Sequence, residues 1–530
     1  PSADMPEIET SLLGFSRGDS AGDVFRARNS ITGEDLPVGY AVASAEETDR
    51  SVEMAEQAAG FLAKLSGRSK ANFLRKVADN VDEIVEALVT VVTAETGLPE
   101  PRVRGETGRT SGQLRLFADL VEEGAWVDAR IDHAMPDRQP IPKPDLRSML
   151  RPIGPVGVFC ASNFPLAFSV AGGDTASAFA AGCPVIVKAH HAHPGTALAI
   201  GEAVVEAVRS CGLPEGVFSL LYGGGRTVGQ RLVSHPSLKA VGFTGSRSGG
   251  RALFDLAASR PEPIPVYAEM SSVNPVFLLP SALENRCEEI AQGFQASATL
   301  GVGQFCTNPG IALYEDGGAG DAFKSSYVKL MEEIASAPML HEGIRDAYGD
   351  GLSSRAVHSG VEVLTDVPTE RGPGGCDASA AVFGTTASTL LADDSLADEI
   401  FGPSTLLVAC QGLEQMLEVA RQLEGQLTAS IFGSADELAA NQDLVDILET
   451  KAGRLLFNQF PTGVEVCHSI VHGGPYPATS DGRSTSVGTA AILRFTRPVC
   501  YQGFPEERLP DELKDANPLN IQRVINGEVV

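Results

Sequence analysis

From Arg151 onward, short apolar runs alternate with helical stretches, and this alternation constrains the fold more than any other feature of the chain. The runs GPVGVFC, CPVIVKA, VFSLLYG and AVGFTGS have the length of strands buried on both faces. Between two of them lies TALAIGEAVVEAVRSCG, apolar at helical spacing. Strand–helix–strand repetition predicts the α/β class, a mostly parallel sheet covered on both sides. A second α/β segment is expected from about Glu269 to Gly474, with strands at VNPVFLLP, PSTLLVAC and GRLLFNQF.

The flanking regions differ. Residues 1–130 are rich in helical patterns such as EETDRSVEMAEQAAGFLAKL, and Gly97 followed by Pro99 closes the second such run. Residues 131–150 are rich in proline and charge and suit an exposed hairpin or arm. After the second α/β segment comes a tail with a strand-like AAILRFTRPV and a charged end. At 530 residues, two or three packed domains are expected.

The chain carries 41 basic and 68 acidic residues, a net charge of −27. That argues against nucleic acid and anionic membranes as partners, because both require a basic face. Nine cysteines are dispersed without a Cys-x-x-Cys pair, which fits a reducing compartment better than a disulfide framework. The start is acidic where a secretory signal would be basic, so the cytoplasm is the expected location. The uncharged stretch from Pro152 to Gly173 is broken by prolines, glycines and Asn163, and reads as buried strands and a loop.

Five short stretches then line up in one order: SNFPLAF (162–168), VIVKAHHAHPGT (185–196), VGFTGS (241–246), YAEMSSVNP (267–275) and GQFCTNPG (303–310). EIFGP (399–403) follows. Together they resemble the aldehyde dehydrogenase superfamily over nearly the whole chain. KAHHAHPGT, EMSSVNP and QFCTNPG are most similar to the branch holding α-ketoglutaric semialdehyde (2,5-dioxopentanoate) dehydrogenases and an NADP-dependent long-chain aldehyde dehydrogenase. The resemblance implies a Rossmann-like cofactor domain (1–130 and 151–268), an α/β catalytic domain (269–475) and a small oligomerisation element (131–150 and 476–530). It further implies a homodimer or homotetramer that oxidises a small aldehyde to a carboxylic acid. The first-choice aldehyde is α-ketoglutaric semialdehyde, giving 2-oxoglutarate, and the alternative is a long-chain fatty aldehyde. A CoA-acylating enzyme and a non-catalytic descendant are the remaining rivals.

Under that resemblance Cys306 is the nucleophile, in a loop of small residues that lets a carbonyl approach. A lone cysteine is otherwise a small core residue. Glu269 follows an apolar strand and is the expected general base, its pKa raised by burial. Many relatives have two glycines next, where this chain has Ser271 and Ser272. Asn163 is the expected oxyanion donor beside the backbone N–H of Cys306, or else the cap of the turn before Pro165.

For the dinucleotide, Lys188 ends a buried strand at the edge where doubly wound sheets bind ligands. By resemblance it meets the adenosine ribose, and Glu399 meets the nicotinamide ribose. The G-x-G-x-x-G fingerprint is missing. Gly245 and Ser246 open a helix whose N–H groups suit the pyrophosphate. NAD-preferring relatives commonly have a glutamate three residues beyond the lysine; here that position is His191. With Arg226 on the same edge, the expected cofactor is NADP, with NAD possible. Arg226 starting a solvated helix is the bland alternative.

His190, His191 and His193 lack metal-ligand spacing with an acid and are expected to be loop histidines. His468 and His472 are four apart, but glycines and a proline follow, and no metal is expected there either. Arg102, Glu106, Arg109 and Gln113 form a helical stripe, solvated or salt-bridged unless Arg109 or Gln113 turns inward to a substrate carboxylate. Phe164 and Phe168 are further candidates to line the substrate.

Overall fold

The computed structural model describes residues 7–366 and 370–530. Two seven-stranded sheets organise it. In the first, the parallel strands Val266–Glu269, Ala240–Thr244, Val156–Phe159, Val185–Lys188 and Phe218–Leu221 lie side by side in that order. Leu12–Leu13 and Ser16–Arg17 add an antiparallel edge. The chain starts at the central Val156–Phe159 strand, builds outward one way, then returns to build the other way. Such a reversal opens a crevice at the carboxyl ends of the strands, where ligands bind in sheets of this kind.

The second sheet runs Glu362–Val363, Ala381–Thr386, Ser404–Cys410, Ile311–Glu315, Val276–Leu278, Gln426–Phe432 and Ala452–Phe457, parallel except for its first strand. The inner strands of both sheets are buried along most of their length, which is why they read as unbroken apolar runs. Loops at the amino ends of the second sheet meet the carboxyl ends of the first. Asn163, in the loop after Val156–Phe159, donates to the carbonyl of Gln304, in the loop before Ile311–Glu315.

Helix 45–63 packs on the first sheet, and helices 67–83, 85–96 and 100–123 pack on the Gly173–Ala181 and Pro194–Ser210 helices. Serines cap helices 45–63 and 67–83 by accepting from a backbone N–H. Gly97 and Gly124 end helices 85–96 and 100–123 at φ 71° and 89°, the left-handed conformation that a glycine adopts without strain. The Pro194–Ser210 helix starts on an internal acid. Buried Glu95 accepts from the N–H groups of Gly195 and Thr196, at 2.8 and 2.7 Å, and from the Thr196 hydroxyl.

Residues 130–152 form a hairpin whose second strand, Leu146–Pro152, pairs with Thr496–Gln502. Val524–Ile525 and Glu528–Val529 complete a five-stranded sheet. The strand expected at AAILRFTRPV is half correct. Thr489–Phe495 is a 3-10 helix with five buried side chains, and extended pairing begins at Thr496. Among the described residues, no helix is long and apolar enough to cross a membrane.

Candidate active site

Cys306 sits in the loop between the Pro280–Thr299 helix and the Ile311–Glu315 strand. The loop is held by backbone in unusual conformations. Gly301, Val302 and Gly303 all have φ between 57° and 67°. Val302 is the telling one, because a β-branched residue there is strained and persists only when its surroundings enforce it. Gly303 presses on the segment bearing Glu399: a Cβ would lie 2.4 Å from the Gly402 carbonyl carbon and the Pro403 nitrogen. Asn274, fully buried, donates to the carbonyls of Cys306 and Asn308 at 2.9 Å each.

Ser272 explains how this chain dispenses with one of the usual glycines. Its hydroxyl bonds Asn274 Oδ1 and Gln426 Oε1 at 2.9 and 3.0 Å and accepts from the Leu427 N–H. A network saturated in this way locks the loop between Glu269 and the second sheet.

Glu269 ends its strand and is 3% exposed. Its Oε2 lies 2.9 Å from His472 Nε2 and accepts from the Ser486 hydroxyl at 3.1 Å. The same His472 nitrogen is 3.4 Å from the Cys306 sulfur. One imidazole nitrogen thus faces both thiol and carboxylate. The expectation of a raised Glu269 pKa is reversed. Burial does favour the neutral acid, but the His472 imidazole and the Cys306 and Ser486 side chains outweigh it, and the carboxyl falls below its ordinary value. Burial, then the Glu269 charge, push the Cys306 thiol up. At rest the pair is a protonated thiol beside an ionised carboxylate. Glu269 Oε1 is buried without a hydrogen-bond partner.

The sequence shows His472 only as one of two histidines four apart, with no catalytic signal beside it. It arrives because the 472–486 segment docks on the Glu269 strand: Met270 donates its N–H to the Ala478 carbonyl, and Glu269 bridges to Thr479. The glycines after His472 were the available signal. A Cβ on Gly473 or Gly474 would come within 2.4 Å of a backbone oxygen, so this backbone packs directly on other backbone.

Asn163 Nδ2 donates to the Gln304 carbonyl at 3.1 Å, two residues before the nucleophile. An amide nitrogen has two N–H groups, so one remains for an oxyanion. Arg102 fixes this loop by donating to the Asn163 carbonyl at 3.0 Å and stacking over Phe164 and Phe305. Glu106, buried, pairs with Arg102 and accepts from the N–H groups of Leu166 and Ala167. That half of the stripe is structural. Arg109 is different. Its guanidinium lies 5.9 and 5.8 Å from the Phe164 and Phe168 rings, and burial lowers its pKa while the Cys306 charge opposes this. Gln113 is buried against Gly173 at the start of the Gly173–Ala181 helix. Arg454, which sequence reasoning did not single out, also lies within electrostatic reach of Cys306, with Nε buried and unpartnered.

Along the carboxyl edge of the first sheet, Lys188 Nζ touches only the Ala189 carbonyl, at 3.1 Å, and burial lowers its pKa. His191 and Arg226 are exposed. Ser246 caps the Arg247–Ala258 helix by accepting from Gly249, and a Cβ on Gly245 would strike the Phe243 ring at 2.7 Å. Glu399 is half-buried, takes one N–H from Ser272, and is pushed up to about 8 by the desolvation of its carboxyl, with the Glu269 charge adding to it. This row of a cation, a helix start and a half-buried acid fits an extended dinucleotide. Near its lysine end His190 stacks on His191 and His193, with the His341 ring edge-on to His191, burial holding His193 and His341 at about 4.

A thiol facing a His–Glu pair and an amide donor, at the mouth of a dinucleotide-type crevice, defines an oxidoreductase that works on a carbonyl bound to sulfur. The model of the aldehyde dehydrogenase family matches residues 18–496, and the chain belongs to that family. It is 49% identical over 519 residues to α-ketoglutaric semialdehyde dehydrogenase 2 of Azospirillum brasilense, covering 98% of both chains. It is 44% identical over 494 residues to the α-ketoglutaric semialdehyde dehydrogenase of Acinetobacter baylyi, covering 93% of both. Among solved structures, lactaldehyde dehydrogenase from Escherichia coli superposes with a TM-score of 0.80 at 20% identity, covering 94% of this chain and 99% of that one.

Proposed function

We propose that this enzyme oxidises α-ketoglutaric semialdehyde to 2-oxoglutarate, with NADP preferred over NAD. The observation that carries the reaction is the Glu269–His472–Cys306 contact chain, 2.9 and 3.4 Å long. The Glu269 carboxylate, its Oε2 held by the Nε2–H of His472, takes the thiol proton and passes it to solvent before the hydrolytic step. The sulfur adds to the aldehyde carbon, and the new oxyanion is held by the free N–H of Asn163 and the Cys306 backbone N–H; one such donor contributes roughly 3 kcal/mol. The bound dinucleotide supplies the hydride acceptor. Glu269 then orients water through Oε1, whose lone pairs are uncommitted, and the thioester is hydrolysed. A base at this place also argues against CoA as the acyl acceptor.

Two observations support the substrate: the identity to the two semialdehyde dehydrogenases, and Arg109, a cation set between Phe164 and Phe168 near the thiol. A distal carboxylate would meet that guanidinium. For the cofactor, Lys188 and His191 would face the adenosine ribose, Arg226 a 2′-phosphate, Gly245 and Ser246 the pyrophosphate, and Glu399 the nicotinamide ribose. The five-stranded sheet has two open edges, Thr496–Gln502 and Glu528–Val529, suited to a homodimer or homotetramer.

The test is a panel of aldehydes differing in length and terminal carboxylate, ranked by kcat/KM with each cofactor. The carboxylated C5 oxo-aldehyde should lead. A long alkyl aldehyde leading instead would overturn the substrate. Cys306→Ala should abolish oxidation and keep dinucleotide binding, and Glu269→Gln should accumulate an acyl-enzyme visible by mass; an active Cys306→Ala would overturn the mechanism.

A further inference from the structure

Glu269, Cys306 and His472 are, among the described residues, the group of three metal-ligating side chains whose ligand atoms lie within 4.8 Å of one another. Their spacing matches a tetrahedral ion. With Zn–S of about 2.3 Å and Zn–N or Zn–O of about 2.0 Å, tetrahedral angles put S and N about 3.6 Å apart and N and O about 3.3 Å apart. The structure has 3.4 Å and 2.9 Å. A shift of a few tenths of an ångström converts the proton relay into a ligand set. Charge balances as well, because thiolate and carboxylate neutralise a dication in a site with little water. A second observation points the same way. Glu269 is ionised, 3% exposed, and one of its oxygens has no donor.

The stacked histidines offer a contrast. His190 Nδ1 accepts from the Ala192 N–H and His341 Nδ1 from the Ile344 N–H, so both rings carry their proton on Nε2. Those nitrogens are donors and not ligands, and the two rings lie tilted with centroids 5.8 Å apart in place of converging on a point.

We propose that the catalytic trio is also a binding site for a soft divalent cation, Zn2+ above all, which reversibly switches the enzyme off. Binding releases the thiol proton to solvent, places the metal on Sγ, His472 Nε2 and a Glu269 oxygen, and leaves a fourth position for water. Sulfur bound to zinc cannot add to a carbonyl, and the same ion occupies the oxygen that would orient the hydrolytic water. The proposal rests on the assignment of Cys306 as nucleophile.

The experiment is a Co2+ titration of the cofactor-free protein followed by absorbance, with Zn2+ competing. Expected is one ion per chain, with visible bands of four-coordinate cobalt and a near-ultraviolet sulfur-to-cobalt band, both removed by one equivalent of Zn2+. Cys306→Ser should lose the sulfur band. His472→Asn, shown folded by its melting curve, should bind at least about tenfold more weakly. His341→Asn should bind like wild type. Zn2+ should block alkylation of Cys306 by iodoacetamide, and a chelator should restore it with activity. The absence of a sulfur band at saturating Co2+, undiminished affinity in His472→Asn, or loss of binding in His341→Asn would each overturn the site. If the site holds but Cys306→Ala still oxidises aldehyde, the nucleophile assignment fails while the metal site stands.

Discussion

Replacing Arg109 should reveal the substrate's distal charge. Its guanidinium lies beside two phenylalanine rings, and no side-chain hydrogen bond figures among the influences on it. The attraction between unit charges 4 Å apart is about 4 kcal/mol at an effective dielectric of 20, before desolvation is subtracted. Net values for hydrogen bonds to charged groups are about 1.5–3 kcal/mol. Arg109→Met should therefore lower kcat/KM for the carboxylated semialdehyde by about 10- to 150-fold, mostly through KM. Loss of the contacts with Phe164 and Phe168 affects every substrate alike, so the neutral aldehyde of equal length is the internal reference. Its kcat/KM should fall only about two- to fivefold, the contacts being worth about 0.5–1 kcal/mol. Arg109→Lys, which keeps the charge and loses the fork, should recover part of the difference. Steady-state kinetics on the two aldehydes decides it. Equal losses for both would refute the reasoning and make Arg109 a packing residue.

Three further outcomes are expected. His472→Asn should cut kcat by about a hundredfold and move the acid limb of kcat to higher pH, because Glu269 loses the partner that holds its pKa down; an unmoved limb would remove His472 from the relay. Glu399 is raised from 4.5 to about 8, so the folded state binds the extra proton and stability falls as pH rises through that window. Glu399→Gln should flatten that fall in urea melts taken from pH 5 to 8, and an unchanged slope would assign it elsewhere. Arg226→Ala should lower the NADP-to-NAD ratio of kcat/KM, and His191→Glu should lower it further; a wild-type preference for NAD would show that neither reads a 2′-phosphate.

The sheets were legible because their strands are buried on both faces and so appear as apolar runs without alternation. Cys306, Glu269 and Lys188 stand out in the sequence through the ordered motifs that carry the family resemblance, since a lone cysteine or glutamate would read as an ordinary core or salt-bridge residue. His472 was not. Its place depends on backbone contacts between residues some two hundred positions apart, Met270 with Ala478 and Glu269 with Thr479, which leave only consecutive glycines as a trace. The Glu269 pKa was misjudged for the same reason, since burial was visible in the sequence and its partner was not. At AAILRFTRPV the apolar period was ambiguous over a short run, and packing chose a 3-10 turn for its first half.

Glu95 bears on how the crevice could have come to lack a glycine fingerprint. In the fingerprint's usual setting, the helix following a strand offers its bare first turn to a pyrophosphate. Here the helix after the Lys188 strand has that turn filled by a carboxylate from its own chain, through three hydrogen bonds of 2.8 Å or less, and burial lifts the acid to about 7. An anion arriving from solvent finds this mouth already stoppered. The next available opening is the start of the Arg247–Ala258 helix, on the other side of the central strand. Glu95 is thus an internal surrogate for phosphate at that helix start, in keeping with the proposed placement of the pyrophosphate at Gly245 and Ser246.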